Sequence, residues 1–198
     1  LENMPTPPGG VWVDLGGGTA ANLEDLKESM FLFKQVVVLD LCRPLIDVAR
    51  KRVEENNWNN VSLIVGDACD TSEMSDLTGK VDVVTFSYSL TMIPDWRAAL
   101  DNAMRLLKPG GHFLCLEFSQ VILPTLSKLY DAYSFNILPL IGQVVANDRD
   151  SYQYLAESIR RFPPQDEFAS RIENVGLEQV SYQNLSGGIA AIHSAWKI

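Results

Sequence analysis

Residues 11–20 read VWVDLGGGTA. A short apolar run, Val11–Leu15, leads into three consecutive glycines, and Asp14 stands just ahead of them. An apolar run of this length, bounded by turn residues, reads as a buried strand. Glycines in series mark a loop whose backbone something must approach closely. The ends of such strands are where an open α/β sheet gathers its ligands.

The flanking sequence alternates strand and helix patterns. Residues 22–34 put Leu23, Leu26, Met30 and Phe33 at three-to-four spacing, which predicts a helix. QVVVL (35–39) is β-branched and continuously apolar, as expected of a strand covered on both faces. Pro44 suits the first turn of a helix reaching about Asn56. Val61–Val65 and Val81–Ser87 read as the third and fourth strands. Asp95 is placed to cap a helix carrying Trp96, Leu100, Ala103 and Leu107, which Lys108-Pro109-Gly110-Gly111 stops. His112–Glu117 then reads as the fifth strand. The rhythm breaks over about 119–160, which contains Pro124, Pro139 and the stretch SFNILPLIGQVVA, and predicts an insertion or lid. A helix from Pro164 to about Val175 follows, with Gly176 as its C-cap. Gln179–Leu185 and Ile189–Trp196, joined by Ser186-Gly187-Gly188, form a hairpin signal. The expected fold is one α/β domain over residues 1–198. It is Rossmann-like and doubly wound, with a mainly parallel seven-stranded sheet that ends in an antiparallel hairpin strand.

Composition narrows the function classes. The chain has 198 residues, 46% hydrophobic and 21% charged, enough for one well-filled core. Its formal net charge is −9 and its sequence pI about 4.7, which disfavours a nucleic-acid surface. Cys42, Cys69 and Cys115 are too widely spaced for a metal site, and buried thiols in a reducing compartment are the expectation. No apolar stretch approaches the roughly 20 residues of a membrane span, and no signal peptide is evident. The cytoplasm or an organellar matrix is the expected location.

Two cofactor chemistries compete for the glycine loop. Gly16-x-Gly18-x-x-Ala21, with Asp40 at the end of the second strand, formally matches the dinucleotide fingerprint. That loop, however, offers a helix N-terminus to a pyrophosphate, and an acid at Asp14 would repel the anion. S-adenosylmethionine (AdoMet) has no phosphate and carries a sulfonium and an ammonium, so Asp14 suits its cationic methionine end. Gly66-Asp67-Ala68 follows the third strand and puts a carboxylate where an adenine amino group can donate to it. None of the six tyrosines has a lysine four residues on, unlike the short-chain reductases that share such a loop.

VDLGGGT, VVVLDL, GDA, the fourth strand with its following loop, and LLKPGG together resemble the class I AdoMet-dependent methyltransferases over residues 10–117. KLYDAYSFNILPLIG, SYQYLAESIRRFP and VSYQNLSGGIAAIHSAWK, over residues 117–198, resemble the ubiquinone/menaquinone biosynthesis C-methyltransferases. LDLCRPLIDVARKR, NNWNNVSLIVGDA and TFSYSLTMIPDW resemble the methyltransferase part of betaine-lipid synthases, so the chain reads as a mosaic. The resemblance implies that Gly16, Gly18 and Thr19 contact the methionine moiety and ribose. It implies that Asp40 and Leu41 meet the ribose, that Asp67 and Ala68 meet the adenine, and that Ser87 lines the pocket. Ala20 stands where such families usually have glycine. Relatives also carry an N-terminal helical segment that helps cover the site, so this chain is expected to be a fragment or a trimmed form.

The leading expectation is C-methylation of a prenylated quinol ring. An aromatic carbon is a weak nucleophile, so a base is expected; Glu117 at the end of the fifth strand should face the pocket, with the binding of a loop backbone as its alternative role. Tyr154 and Arg160 are further catalytic candidates, with Tyr88 and His193 behind them, His193 reading more readily as a satisfied strand histidine. The alternative is N-methylation of a diacylglyceryl homoserine headgroup, for which Tyr88 and Trp96 could contact a quaternary cation. A non-catalytic fold that binds AdoMet or a partner is the third reading. The expected partners are a lipophilic small molecule, the surface of a membrane, and a second copy or a biosynthetic complex. No strongly basic amphipathic helix marks a membrane contact.

Overall fold

The computed structural model describes residues 4–70, 72–120 and 149–198. Seven strands form one sheet: β1 Val11–Leu15, β2 Gln35–Asp40, β3 Val61–Val65, β4 Val81–Ser87, β5 Leu107–Phe118, β6 Glu178–Leu185 and β7 Ala190–Trp196. Their order is β3-β2-β1-β4-β5-β7-β6. The first five run parallel, and β7 is antiparallel to both β5 and β6. The order reverses between β1 and β4, so the crevice beyond their carboxyl ends is the switch point of a doubly wound sheet.

Strand alternation divides the core into two layers. Val13, Val37, Val84 and Phe113 face one side. There they meet Trp96, Leu100 and Ala103 of helix α3 (Trp96–Leu106), and Phe168 and Ile172 of helix α5 (Gln165–Asn174). Trp12, Val36, Val38 and Leu114 face the other side, against Leu23, Met30, Phe33 and the Ile46 and Ala49 of helix α2 (Arg43–Glu55). Asp95 caps α3 as its sequence position predicts, accepting a hydrogen bond from the Ala98 N–H at 3.2 Å.

Two local expectations change. Residues 22–34 do not form one helix. A four-residue helix α1, Asn22–Asp25, gives way to a 3-10 turn at Met30–Leu32. The apolar spacing is satisfied all the same, because Leu23, Leu26, Met30 and Phe33 are all buried. Lys108–Gly111 does not precede the fifth strand but belongs to it, since β5 already pairs at Leu107 with Val81. Backbone bonds from Gly110 N–H to Lys197 and from the Lys197 N–H to Gly111 hold that segment in the sheet. Of the 119–160 insertion, the described part is Ser119, Gln120 and a helix α4, Arg149–Arg161. The KLYDAYSFNILPLIG stretch lies outside the described residues. No helix among the described residues is long and apolar enough to cross a membrane.

Candidate active site

A cavity of about 840 Å³ opens at the switch point, within the range of about 300–1,000 Å³ usual for small-molecule sites. The loop after β1 forms its floor. Gly16 has φ +68°, and a Cβ there would lie 2.5 Å from the Ser89 Cβ. At Gly17 a Cβ would lie 2.7 Å from both Asp14 Oδ2 and Val38 Cγ1. These glycines therefore let the loop pack on its own scaffold as well as leave its backbone open to a ligand. Arg52 of α2 clamps the loop from behind. Its guanidinium donates to the Thr19 carbonyl and to Thr19 Oγ1, and also to Glu24 Oε1 at 2.7 Å.

Gly16, Gly18, Thr19, Asp40, Leu41, Asp67, Ala68 and Ser87, expected from the resemblance at the cofactor, all line this cavity. Asp40 Oδ2 accepts from the Gly18 N–H at 2.9 Å and Oδ1 from the Cys42 N–H at 2.8 Å. Each oxygen keeps a second lone pair for a ligand hydroxyl. Asp67 Oδ1 is held by the Cys69 N–H at 2.8 Å. Leu41 is 71% exposed at the rim.

Asp14 is the exception. It is fully buried and does not line the cavity. Its Oδ1 accepts from Thr85 Oγ1 at 2.6 Å and its Oδ2 from Asn22 Nδ2 at 3.1 Å. Burial raises its pKa to about 6, against those two hydrogen bonds. The acid ahead of the glycines thus acts beneath the loop rather than on a ligand directly. Its neighbour Asn22, which sequence reasoning passed over, reaches the wall instead.

Glu117 takes the second of its two expected roles, at a loop backbone and not at the pocket. It is 1% exposed and absent from the cavity lining. Its Oε1 accepts from the Ser89 and Leu90 N–H groups at 2.6 Å each, and Oε2 from Thr91 Oγ1 at 2.5 Å. Burial raises its pKa to about 7, while these donors pull the other way. A carboxylate spent on a loop backbone is an anchor, and the loop it anchors supplies Ser89, Met92, Ile93, Pro94 and Asp95 to the cavity wall.

Beyond Ile93 and Pro94 lies a second cavity of about 290 Å³, walled by Thr91, Trp96, Tyr154, Ser158, Arg161 and Phe162. Tyr154 lines it and donates its hydroxyl to the Met92 carbonyl at 3.2 Å. Arg160 is exposed and lines neither cavity, whereas the next residue, Arg161, lines the second one. Tyr88, with φ 52°, lines the larger cavity and packs on Phe118 with ring centroids 4.7 Å apart. His193 is a core histidine, bonded through Nε2 to the Gln165 carbonyl at 3.2 Å and packed on Phe168. Of the cysteines only Cys115 is buried, because Cys42 sits at the exposed start of α2 and Cys69 at the cavity wall.

The wall chemistry separates the two cofactor readings. Asp40, Asp67 and Asp95 line the larger cavity, and no lysine or arginine does among the described residues. The helix after the glycine loop has four residues, with Glu24 and Asp25 in its first turn. A pyrophosphate finds neither a cation nor a helix N-terminus of useful length there. A cationic sulfonium ligand bearing ribose and adenine fits the residues present.

Comparison with known proteins agrees. The model of the ubiE/COQ5 methyltransferase family matches residues 2–197. A ubiquinone/menaquinone biosynthesis C-methyltransferase UbiE of Brucella anthropi is 42% identical over 192 residues, covering 96% of this chain and 72% of the relative. Among solved structures, a complex of the Haloferax volcanii Trm112 methyltransferase activator with the putative methyltransferase aligns at TM-score 0.71 and 17% identity, covering 98% of this chain and 85% of that one. A SAM-dependent methyltransferase from Aquifex aeolicus aligns at TM-score 0.64 and 14% identity, covering 98% and 85%. The family match runs through both halves without a break, so the separate betaine-lipid resemblance of the N-terminal half finds no support. Fold, cavity chemistry and sequence agree that the chain belongs to the ubiE/COQ5 methyltransferase family, as a class I AdoMet-dependent methyltransferase.

Proposed function

We propose that this chain transfers a methyl group from AdoMet to a ring carbon of a prenylated quinol. The observation that carries the cofactor half is the cavity wall, which is acidic, free of basic side chains among the described residues, and placed at the switch point. The substrate half is supported by the relatives, which are ubiquinone/menaquinone biosynthesis C-methyltransferases, and by the aromatic second cavity beside the first.

In this reading Asp40 and Leu41 hold the ribose, Asp67 and Ala68 the adenine, and Gly16, Gly18, Thr19 and Ser87 surround the methionine and sulfonium end. When bound, AdoMet supplies an electrophilic methyl group on sulfur. The chain's own part is to align a nucleophilic carbon with it and to exclude water. Trp96 and Phe162 offer apolar walls to a quinol ring. The Arg161 guanidinium beside that space favours the ionised form of a ring hydroxyl, which makes the adjacent carbon more nucleophilic. Tyr154, in the same wall, gives its own proton to the Met92 carbonyl and is placed to accept a hydrogen bond from a ring hydroxyl. Glu117 serves by fixing the loop whose Ile93 and Pro94 line both cavities.

The experiment is methyl transfer from labelled AdoMet, assayed in parallel with a demethylated prenyl quinol and with a diacylglyceryl homoserine lipid. Product from the quinol alone is expected. Product from the lipid alone would replace this reading with amine methylation.

A further inference from the structure

We propose that Asn22 is a binding residue of the larger cavity, presenting its amide oxygen to the ammonium group at the amino-acid end of the cofactor. The proposal rests on the AdoMet reading above and adds a residue that neither the glycine motif nor the acids at the strand ends identify.

A buried relay fixes which way the Asn22 amide points. The Trp12 indole N–H can only donate, and it donates to Thr85 Oγ1 at 2.8 Å. With that oxygen engaged as an acceptor, the hydroxyl proton of Thr85 goes to Asp14 Oδ1 at 2.6 Å. Asp14 then offers Oδ2 as an acceptor, and Asn22 meets it with Nδ2 at 3.1 Å. The reversed amide would set a carbonyl oxygen against the carboxylate, so it is disfavoured. Asn22 Oδ1 is left over as an acceptor on a residue that lines the cavity, and it accepts no hydrogen bond from the described residues.

The strand order supplies the ligand group. Asp67 follows β3, Asp40 ends β2, and Asn22 follows the loop after β1. Adjacent strands lie about 4.8 Å apart, so these three residues step across the crevice in the order adenine, ribose, amino-acid end. At that third step the ligand carries an ammonium and a carboxylate. An amide oxygen backed by a buried carboxylate attracts the ammonium and repels the carboxylate. Arg52, the nearest basic side chain to the loop, is turned to the Thr19 carbonyl and Glu24 and does not reverse that preference.

The test compares two nucleosides by calorimetric titration of wild type and Asn22→Ala. S-adenosylhomocysteine carries the amino-acid end, whereas 5′-methylthioadenosine shares the adenine and ribose but lacks it. Asn22→Ala is expected to weaken S-adenosylhomocysteine binding about tenfold, as for one hydrogen bond to a charged group. Methylthioadenosine should bind the variant within about twofold of wild type, which also reports that the site is folded. Equal losses for both nucleosides, or no loss for either, would overturn the proposal. Wild type that binds neither nucleoside would instead overturn the AdoMet reading on which it rests.

Discussion

Glu117, near the end of β5, holds the backbone N–H of Ser89 at 2.6 Å with the same oxygen that takes the N–H of Leu90. A buried acid is thereby committed to the loop that lines both cavities. Replacement by leucine would strand two buried amides and the Thr91 hydroxyl without an acceptor. Glu117→Leu is expected to cost about 3 kcal/mol or more in urea unfolding, and AdoMet affinity should fall with it. Glu117→Gln keeps an acceptor oxygen and should cost less than half as much. Equal costs for the two variants would show that the hydrogen bonds to the loop contribute little.

The same residue makes stability depend on pH. Burial raises Glu117 to about 7 and Asp14 to about 6. A carboxyl whose folded pKa exceeds its unfolded value contributes fully below the unfolded value, about 4, and that contribution is lost as pH rises through the folded value. His112, lowered by burial to about 4, and His193, also lowered by burial, have the opposite sign, because their contribution is lost as pH falls below about 6.5. The two sets nearly cancel through the neutral range, so the Glu117 contribution is read by difference between two proteins. Relative to Glu117→Gln, wild type should lose about 3 kcal/mol from about pH 4.5 to 7.5. Urea midpoints across that range check it, and a pH-independent difference between the two proteins would contradict it.

Ala20 sits in the glycine loop with φ 57° and is fully buried. Left-handed backbone costs an alanine about 1–2 kcal/mol, and glycine almost nothing. Removing the buried methyl gives back about 0.8 kcal/mol. Ala20→Gly should therefore raise stability by up to about 1 kcal/mol, seen as a higher melting temperature. A lower one would mean that the methyl contact outweighs the backbone strain.

Much of this was legible in the residues. QVVVL and VDVVTFS are β-branched runs that fit only buried strands, and β2 and β4 lie where they predict. Eight of the nine residues expected at the cofactor line the cavity: the strand-end acids Asp40 and Asp67 and the loop glycines are legible from position, and the rest follow from the family resemblance. Depth was not legible. Nothing in the string DLGGG distinguishes an acid under the loop from one above it, and Asp14 lies under. Glu117 carried two expectations, and strand alternation gives its face but not the loop that folds over that face, so it does not choose between them. The 22–34 segment shows that three-to-four spacing records burial, which a short helix and a 3-10 turn satisfy as well as one long helix. Arg161, and not Arg160, lines the second cavity, and helix α4 falls in a segment read as a lid, where the sequence assigns no helical phase.

The central claim is that the acid-lined cavity at the switch point binds AdoMet, with Asp40 as its ribose ligand. Calorimetric titration of wild type and Asp40→Ala with AdoMet, and of wild type with NADH, tests it most directly. The account predicts one AdoMet bound per chain, an affinity at least about tenfold weaker in Asp40→Ala, and no binding of NADH. Binding of NADH in preference to AdoMet, or no AdoMet binding at about 1 mM ligand, would contradict it.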